Sequence, residues 1–299
     1  MNVSPLVAQD LGKRFRREWS LRGLTLEIPQ GAVVGLAGPN AAGKSTLLAL
    51  ATGLLAPTEG TISVLGRDPR RDPGILADVG YVAQGAPLYR SFSVADTIEY
   101  ARRTNARWDG EAAVDLLTRI SARTKVGSLS EGERARLALA LVLGKRPQLV
   151  LLDEPFASLD PLAGRELLQL LMDGIAETGA TVVVASHVVA DIERVCDHIV
   201  LLTGAGLRLE GNVEGLLESH RLLTGPRRPL GGIRGVREVV RERHSGRQLT
   251  LLTVVDGPIV DPSWTVEPVS LEDLLLAYMA PERLPTPRQP EKVPLQWHG

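Results

Sequence analysis

A glycine-rich stretch near the N-terminus combines the residue types and the spacing that hold phosphate groups. Residues 38–45 fit the pattern G-x-x-x-x-G-K-[S/T] and lie between a short β-branched run and a helical pattern. Backbone N–H groups of such a loop and of the following helix N-terminus converge on one anion. Lys44 would reach the β- and γ-phosphates of a nucleotide, and the Ser45 hydroxyl would bind Mg²⁺. The alternative is a glycine-rich turn that carries a surface lysine. The predicted phosphate-binding residues are Gly38, Pro39, Asn40, Ala41, Ala42, Gly43, Lys44, Ser45 and Thr46.

Two adjacent carboxylates are the expected partners of this loop. Asp153 and Glu154 follow the apolar run Leu149–Leu152, so they would lie at the end of a buried strand. Asp153 would hold Mg²⁺ through water, and Glu154 would orient or deprotonate the water that attacks the terminal phosphate. Two adjacent acids could also simply begin a loop. Together with the phosphate-binding pattern, however, they favour Mg²⁺-assisted hydrolysis of a nucleoside triphosphate.

The composition of the chain excludes several classes of protein. Of its 299 residues, 44% are apolar and 23% are charged, which is typical of a globular protein and not of a disordered one. The 34 basic and 35 acidic residues give a net charge of −1, so no nucleic acid or anionic membrane surface is expected as a partner. The single cysteine, Cys196, excludes intramolecular disulfides and multi-thiolate metal sites. The apolar stretches are shorter than the ~20 residues that span a bilayer, and the N-terminus has no secretory-signal pattern. We therefore expect a cytoplasmic protein that meets the membrane only through another chain.

Short apolar runs that alternate with helical patterns would position the candidate residues. Strands of a parallel sheet are covered on both faces, so continuous apolar runs up to about residue 209 predict such a sheet with helices on both sides. Alternating patterns at Leu24–Ile28 and Thr61–Val64 predict half-exposed antiparallel strands. Residues 94–122 lack strand patterns and are predicted to be helical. The predicted buried strands are 32–37, 79–83, 149–152, 181–185 and 198–202.

The C-terminal part of the chain follows a different pattern. Residues 221–235 are interpreted as a linker because they are rich in Gly, Pro and Arg. Residues 236–280 are predicted to form a small extension, in which a hairpin is followed by a helix that Ser270 opens with capping-box spacing. Residues 281–299 contain five prolines and are predicted to be a disordered tail.

Four further motifs complete an ordered series along the chain. Gln84 follows an apolar run, residues 129–133 read Leu-Ser-Glu-Gly-Glu, residues 158–160 read Ser-Leu-Asp, and His187 follows Val-Val-Val-Ala-Ser. With the phosphate loop and the acidic pair, this order resembles the nucleotide-binding subunits of ATP-binding cassette (ABC) transporters over residues 1–220. The resemblance implies an α/β P-loop NTPase with a RecA-like parallel sheet core, an N-terminal antiparallel β subdomain and a helical signature subdomain at about 90–145. The small extension, of α+β type, would follow this cassette.

The resemblance also implies a role for each motif. Gln84 would contact Mg²⁺ or the attacking water and would sense the membrane partner, and His187 would bond the γ-phosphate. Ser130 and Gly132 would cap the γ-phosphate of an ATP bound to a second nucleotide-binding subunit, and Asp160 would organise the interface between the two subunits. The implied catalytic residues are thus Glu154, His187 and Gln84, and the implied Mg²⁺ ligands are Ser45, Gln84 and Asp153.

Some positions bear on how well such a site would work. Phe15 lies where the family commonly places an aromatic side chain under adenine, although Trp19 is a rival and packing on the first sheet is an alternative for Phe15. Ala41 replaces a glycine that is frequent in the family's phosphate loop. Glu131 and Glu133 replace Gly and Gln of the signature motif, and a carboxylate beside a γ-phosphate is unfavourable unless it points away.

The sequence therefore predicts the ATP-hydrolysing subunit of a transporter, held on the inner face of the cell membrane by a separate transmembrane permease. The second nucleotide-binding subunit would be a copy of this chain or a different cassette. Residues 269–277 resemble the closing helix of cassettes from drug and antibiotic exporters, which favours export. The alternative is a soluble cassette ATPase of translation or DNA repair, although such proteins usually carry tandem cassettes, a coiled-coil insertion or a zinc module. A third reading, a regulatory protein that holds ATP without turnover, is disfavoured by Glu154 and His187.

Overall fold

A computed structural model of the chain describes residues 3–204, 206–227 and 233–280. The predicted tail at 281–299 lies outside the described residues, as do residues 228–232 of the predicted linker. The strands are β1 (Leu6–Phe15), β2 (Glu18–Ile28), β3 (Val33–Ala37), β4 (Glu59–Val64), β5 (Val79–Val82), β6 (Leu149–Asp153), β7 (Thr181–Ser186), β8 (His198–Thr203), β9 (Gly206–Asn212), β10 (His220–Pro226), β11 (Val236–Ser245), β12 (Gln248–Val255) and β13 (Thr265–Pro268). The helices are α1 (Lys44–Ala51), α2 (Val94–Thr104), α3 (Gly110–Asp115), α4 (Glu131–Gly144), α5 (Pro161–Thr178), α6 (Val189–Glu193), α7 (Val213–Ser219) and α8 (Leu271–Met279).

The central sheet has the strand order β5-β6-β7-β3-β8-β9 among the described residues. Its strands run parallel except for β9, which is antiparallel to β8. Every residue of β3, β6 and β7 is buried, which confirms the sheet predicted from continuous apolar runs. Since parallel strands place their carboxyl ends at one edge, the residues that follow β3, β6 and β7 lie side by side.

An antiparallel sheet with the order β2-β1-β4 packs on α1. Leu6, Ala8 and Leu11 of β1 are buried in the same apolar cluster as Leu47 and Leu48 of α1. The predicted antiparallel strands are therefore confirmed, while β1 is an additional strand that the sequence patterns did not indicate. The helical subdomain contains α2, α3 and α4, and it lies in the region that was predicted to be helical.

The C-terminal extension is a sheet with the order β11-β12-β10-β13, joined to α8. The linker predicted over residues 221–235 is wrong at its beginning, because residues 221–226 belong to β10 and pair with both β12 and β13. Gly225 looked like a linker residue but is required by packing. A Cβ at Gly225 would lie 2.5 Å from Cε3 of Trp264, so the indole covers the strand closely there.

A buried histidine ties α8 to this sheet. His220, at the start of β10, is 3% exposed, and its Nδ1 lies 2.7 Å from the carbonyl oxygen of Leu216. A carbonyl only accepts hydrogen bonds, so Nδ1 carries the proton and Nε2 accepts from the Tyr278 hydroxyl at 2.9 Å. Burial lowers the pKa of His220. The neutral imidazole is therefore the form that fits this contact.

We expect the stability of the chain to fall as the pH drops below about 6.5, the pKa of an unperturbed histidine. Because the folded pKa of His220 is lowered, the unfolded chain binds the proton more tightly. The stability from neutral His220 is present above the unfolded pKa and is lost as the pH falls through the folded pKa. Thermal melts of the His220→Gln variant should depend less on pH than those of the parent. His244→Gln is the matched control, since the His244 side chain is 36% exposed. Equal pH dependence in all three proteins would contradict the assignment.

Candidate functional site

The phosphate loop has backbone angles that few residues adopt. Gly38 and Gly43 have φ values of 151° and 100°, and Ala41 has a φ of 64°. A Cβ at Gly43 would lie 2.4 Å from Cδ2 of Leu21, so this position admits only glycine. Ala41 holds the left-handed conformation without being a glycine, at a cost of about 1–2 kcal/mol. The loop thus has a fixed shape, and α1 begins directly after Gly43 without a side-chain cap on its first N–H groups.

Lys44 lies across the loop and is 5% exposed. Its Nζ donates to the carbonyl oxygens of Gly38 at 2.7 Å and Pro39 at 3.2 Å, and it lies 3.6 Å from Oε1 of Glu154. Burial lowers the pKa of Lys44, and the neighbouring carboxylates of Glu154 and Asp153 oppose that shift. The lysine ammonium group is therefore already positioned within the loop, where it contacts two neutral backbone carbonyls and the Glu154 carboxylate.

An oxygen pair lies at the start of α1. The Ser45 hydroxyl donates to Oδ1 of Asp153 at 3.0 Å, and Asp153 is 3% exposed at the end of β6. Burial is the main cause that raises the pKa of Asp153. A hydroxyl and a carboxylate are the hard oxygen ligands that Mg²⁺ takes when it also binds water and phosphate. The residues present therefore fit Mg²⁺, and Ser45 and Asp153 are the residues that could hold it.

Glu154 forms the centre of the site. It has a φ of 49°, and its N–H donates to the carbonyl oxygen of Ala185 at 2.9 Å, so β7 fixes its backbone. The carboxylate is 7% exposed, and its Oε2 lies 2.8 Å from Nδ1 of His187. Glu154 is thus held between Lys44 on one carboxylate oxygen and His187 on the other. No sequence pattern indicates the strained backbone or the Ala185 contact.

Gln84 lies in the turn Ala83–Ala86 that follows β5 and is exposed. Since β5 is the neighbour of β6, this turn lies at the same edge of the sheet as Asp153 and Glu154. The turn also lines a cavity of about 60 Å³ beside Glu154, whose other walls come from α4, α5 and residues 155–159 between β6 and α5. No residue of the phosphate loop lines this cavity, and no sequence pattern indicates it.

The signature segment forms a helix cap. Ser130 is the N-cap of α4, and its hydroxyl and N–H each donate to Oε2 of Glu133 at 2.9 Å, while the Glu133 N–H donates to the Ser130 hydroxyl at 3.2 Å. The Glu133 carboxylate is therefore folded onto its own helix end, which favours negative charge. Glu131 is exposed in the first turn, and Gly132 lies beside Ala163.

Asp160 caps the neighbouring helix. It is the N-cap of α5, and its Oδ1 accepts from the N–H groups of Leu162 at 2.9 Å and Ala163 at 3.0 Å. The predicted residues thus form two groups. Lys44, Ser45, Asp153, Glu154 and His187 are joined by contacts around the phosphate loop. Ser130, Glu133 and Asp160 form helix caps instead.

A model of the ABC transporter family matches residues 21–157 of the chain. The lantibiotic transport ATP-binding protein SrtF of Streptococcus pyogenes is 31% identical over 215 residues, which make up 70% of this chain and 92% of SrtF. The chain belongs to the ABC transporter ATP-binding family. The thiamine import ATP-binding protein ThiQ of Jannaschia sp. is 36% identical over 184 residues, 59% of this chain and 80% of ThiQ. A solved dimeric post-hydrolysis state of the ATP-binding cassette MJ0796, bound to ADP and Pi, has a TM-score of 0.63 and 25% identity, and covers 70% of this chain and 98% of that one.

The chain is accordingly an ABC ATPase with the predicted P-loop NTPase fold. The relatives include proteins named for either direction of transport. ThiQ is named for import, and the Nod factor export ATP-binding protein I of Burkholderia orbicola is 32% identical over 229 residues, 74% of this chain and 75% of that protein. Among residues 3–204, 206–227 and 233–280, no helix is long and apolar enough to cross a bilayer.

The two aromatic candidates of the ABC ATPase differ in exposure. Phe15 lies at the tip of the β1–β2 hairpin and is 46% exposed, with the Lys13 Nζ 5.2 Å from its ring centroid. Trp19 is only partly exposed, because its ring packs against Gly12 and lies close to the guanidinium groups of Arg14 and Arg22. Phe15 therefore has more ring surface available to a base than Trp19, and its role in adenine stacking stays a prediction.

Proposed function

We propose that this ABC ATPase binds ATP with Mg²⁺ at the phosphate loop and powers export through a separate transmembrane permease. The observation that supports hydrolysis best is the contact series from Lys44 through Glu154 to His187. The name of the Nod factor export protein and the likeness of residues 269–277 to closing helices of exporter cassettes favour export. The permease would hold the ATPase on the inner face of the cell membrane.

The geometry supports a sequence of contacts during hydrolysis. An incoming triphosphate offers Lys44 a stronger acceptor than the two loop carbonyls, so Lys44 turns from Glu154 to the β- and γ-phosphates. This exchange leaves Oε1 of Glu154 free to accept a proton from the attacking water. His187 keeps its contact to Oε2 and orients the carboxylate. Ser45 and Asp153 would hold Mg²⁺, which would supply charge neutralisation at the phosphates.

The helix caps support a second subunit in the proposed site. Ser130 is exposed at the N-terminus of α4, where a phosphate would be favoured, and its described contacts are within its own cap rather than with the phosphate loop of the same chain. We infer that Ser130 and Gly132 meet the γ-phosphate bound by the opposite subunit, with Asp160 at the same interface. Because the Glu133 carboxylate accepts from the Ser130 N–H, it repels the incoming γ-phosphate less than an unpaired carboxylate would.

Ser130→Ala should weaken ATP-driven dimerisation and also lower the stability of α4 by about 1 kcal/mol, the usual contribution of a serine cap. Glu131→Gly should leave dimerisation unchanged, because Glu131 is exposed at a helix start that favours its charge. Sedimentation of both variants with and without ATP, in a Glu154→Gln background, measures their dimerisation. Unimpaired dimerisation of Ser130→Ala would show that this segment is not the second face of the ATP site.

An exposed aromatic cluster provides a surface for the proposed permease. Tyr89, Phe92 and Tyr100 have ring centroids 5.1–6.3 Å apart, and Tyr89 and Tyr100 are 64% and 51% exposed. Clustered aromatic side chains with this exposure are typical of protein interfaces. The segment continues from the Gln84 turn, and the Phe92 carbonyl accepts from the N–H of Val126, four residues before Ser130. A partner bound here would therefore touch the segment that joins Gln84 to the signature helix.

Tyr100→Ala should weaken association with the permease by about 30-fold, which corresponds to a hot spot of ~2 kcal/mol. ATP binding should be unchanged, because Tyr100 lies in α2, away from the phosphate loop. The test is co-purification of the ATPase from membranes, with identification of the membrane-spanning protein that is recovered with it. Val260→Ala is the control, since Val260 is 71% exposed on the extension. Equal recovery of the permease with both variants would place the docking surface elsewhere. Failure of the unmodified chain to bind any such protein would favour the soluble cassette ATPase.

A further inference from the structure

The short helix α6 begins two residues after His187 and has no side-chain cap at Val188. A five-residue helix is too short to be stable alone, so its position depends on what packs against it. Its inner side lies on β3, where Gly35 leaves room for Ile192. A Cβ at Gly35 would lie 2.2 Å from Cγ2 of Ile192, so the contact is close. Sheet packing therefore fixes one side of α6.

The C-terminal helix α8 covers another side of α6. Leu271, Leu274 and Leu275 of α8 are at most 1% exposed and belong to the same apolar cluster as Val189 and Ile192. The two helices are in direct contact. A helix of the extension thus completes the packing of the segment that carries His187.

The far end of α8 is fastened to the extension sheet. The Tyr278 hydroxyl bonds His220 of β10, and Nη1 of Arg241 in β11 donates to the carbonyl oxygen of Leu276 at 3.1 Å. Helix α8 therefore contacts α6 and is also bonded to the extension sheet. A displacement of α8 would be transmitted to α6.

We propose that the C-terminal extension is a positioning element for His187. Leu271, Leu274 and Leu275 act through α6, which they press against β3, and they keep the imidazole 2.8 Å from Glu154. The inference rests on the proposed function, because it assigns a use to the His187 contact. The imidazole itself is 42% exposed, so the course of the backbone after β7 contributes strongly to where it lies.

The test compares two buried leucines of the extension in the full-length chain. Leu274 and Leu251 are both 0% exposed, but Leu251 lies in a separate apolar cluster with Leu223, Leu249 and Trp264. Leu274→Ala should lower kcat by roughly 10-fold, within the range that a misplacement of about 1 Å causes, and leave the Kd for ATP unchanged. Leu251→Ala should leave kcat unchanged. Leu274→Val, a smaller truncation, should change kcat in the same direction and provides a variant that folds if Leu274→Ala does not.

Amide hydrogen exchange provides a readout that overall destabilisation would not reproduce. In Leu274→Ala, the N–H groups of Asp191, Val195 and Cys196, which bond to carbonyls within this segment, should exchange faster. The N–H groups of the phosphate loop should keep their rates. In Leu251→Ala the segment 188–196 should stay as protected as in the parent. Equal acceleration in both variants would overturn the positioning role.

His187→Ala separates this inference from the proposed function. If the leucines act through His187, Leu274→Ala should add no further loss of kcat in a His187→Ala background. Equal losses in both backgrounds would overturn the positioning role alone. Normal turnover of His187→Ala would overturn the proposed use of the histidine and, with it, this inference. A lowered kcat in His187→Ala together with normal kcat in folded Leu274→Ala would overturn only the inference.

Discussion

The Glu154→Gln variant should turn over ATP roughly 10²–10⁴-fold more slowly than the parent, the factor that a general base contributes. The amide keeps the shape of the side chain and can still contact His187, but it cannot accept a proton from water. Lys44 and the phosphate loop are unchanged, so ATP should bind normally. The protein should then accumulate as an ATP-bound dimer, which size-exclusion chromatography separates from the monomer.

The control for Glu154→Gln is Glu131→Gln, which changes an exposed acid of the same type. Its rate of phosphate release should equal that of the parent. Normal turnover of Glu154→Gln would remove Glu154 from the chemistry and leave its buried contacts to Lys44 and His187 as structural features.

Lys44→Ala should raise the Kd for ATP by roughly 10- to 100-fold, as expected for the loss of hydrogen bonds from a charged donor. The ammonium group of Lys44 lies within the phosphate loop and is largely desolvated. Its loss therefore removes a cation that is already positioned to bind the phosphates. The variant also leaves the Glu154 carboxylate without its lysine, so a small loss of stability should accompany the loss of affinity. Titration with a fluorescent ATP analogue measures the change.

A second lysine provides the matched control for Lys44→Ala. Lys145 also donates to a backbone carbonyl, that of Val79 at 2.9 Å, and burial lowers its pKa as well. It follows α4 and has no contact with the phosphate loop in the described residues, so Lys145→Ala should retain normal ATP affinity. Similar losses in both variants would mean that the effect comes from destabilisation of the fold.

The parts of the fold that could be predicted were those set by local patterns. Buried parallel strands are apolar throughout, so β3, β6 and β7 were evident from their residues alone. In β1, by contrast, Leu6, Ala8 and Leu11 alternate irregularly with polar residues, and register shifts interrupt its pairing with β2. Strand β1 is stabilised by pairing with β2 and β4. Since β4 is distant from β1 in the sequence, no local pattern indicates that pairing.

The candidate site was predictable in its composition and not in its geometry. The spacing Ser-x-x-Glu at residues 130–133 is that of a capping box. The likeness to a signature motif predicts only that the charge of Glu133 lies near a phosphate, and not that its carboxylate bonds to Ser130. The left-handed backbone of Glu154 depends on its bond to Ala185 of β7, which is a tertiary contact. The mistaken linker has the same cause, because Gly225 fits β10 only through Trp264.

The alanine in the phosphate loop has a consequence for the thermodynamics of nucleotide binding. A glycine at position 41 would sample many conformations in a loop without nucleotide, and binding would have to restrict them. Ala41 has a narrower range and already adopts the left-handed angle in the described structure. Part of the conformational entropy of the loop is therefore lost when the chain folds and not when the nucleotide binds. The chain accepts a less stable loop and, in return, loses less conformational entropy each time it captures ATP.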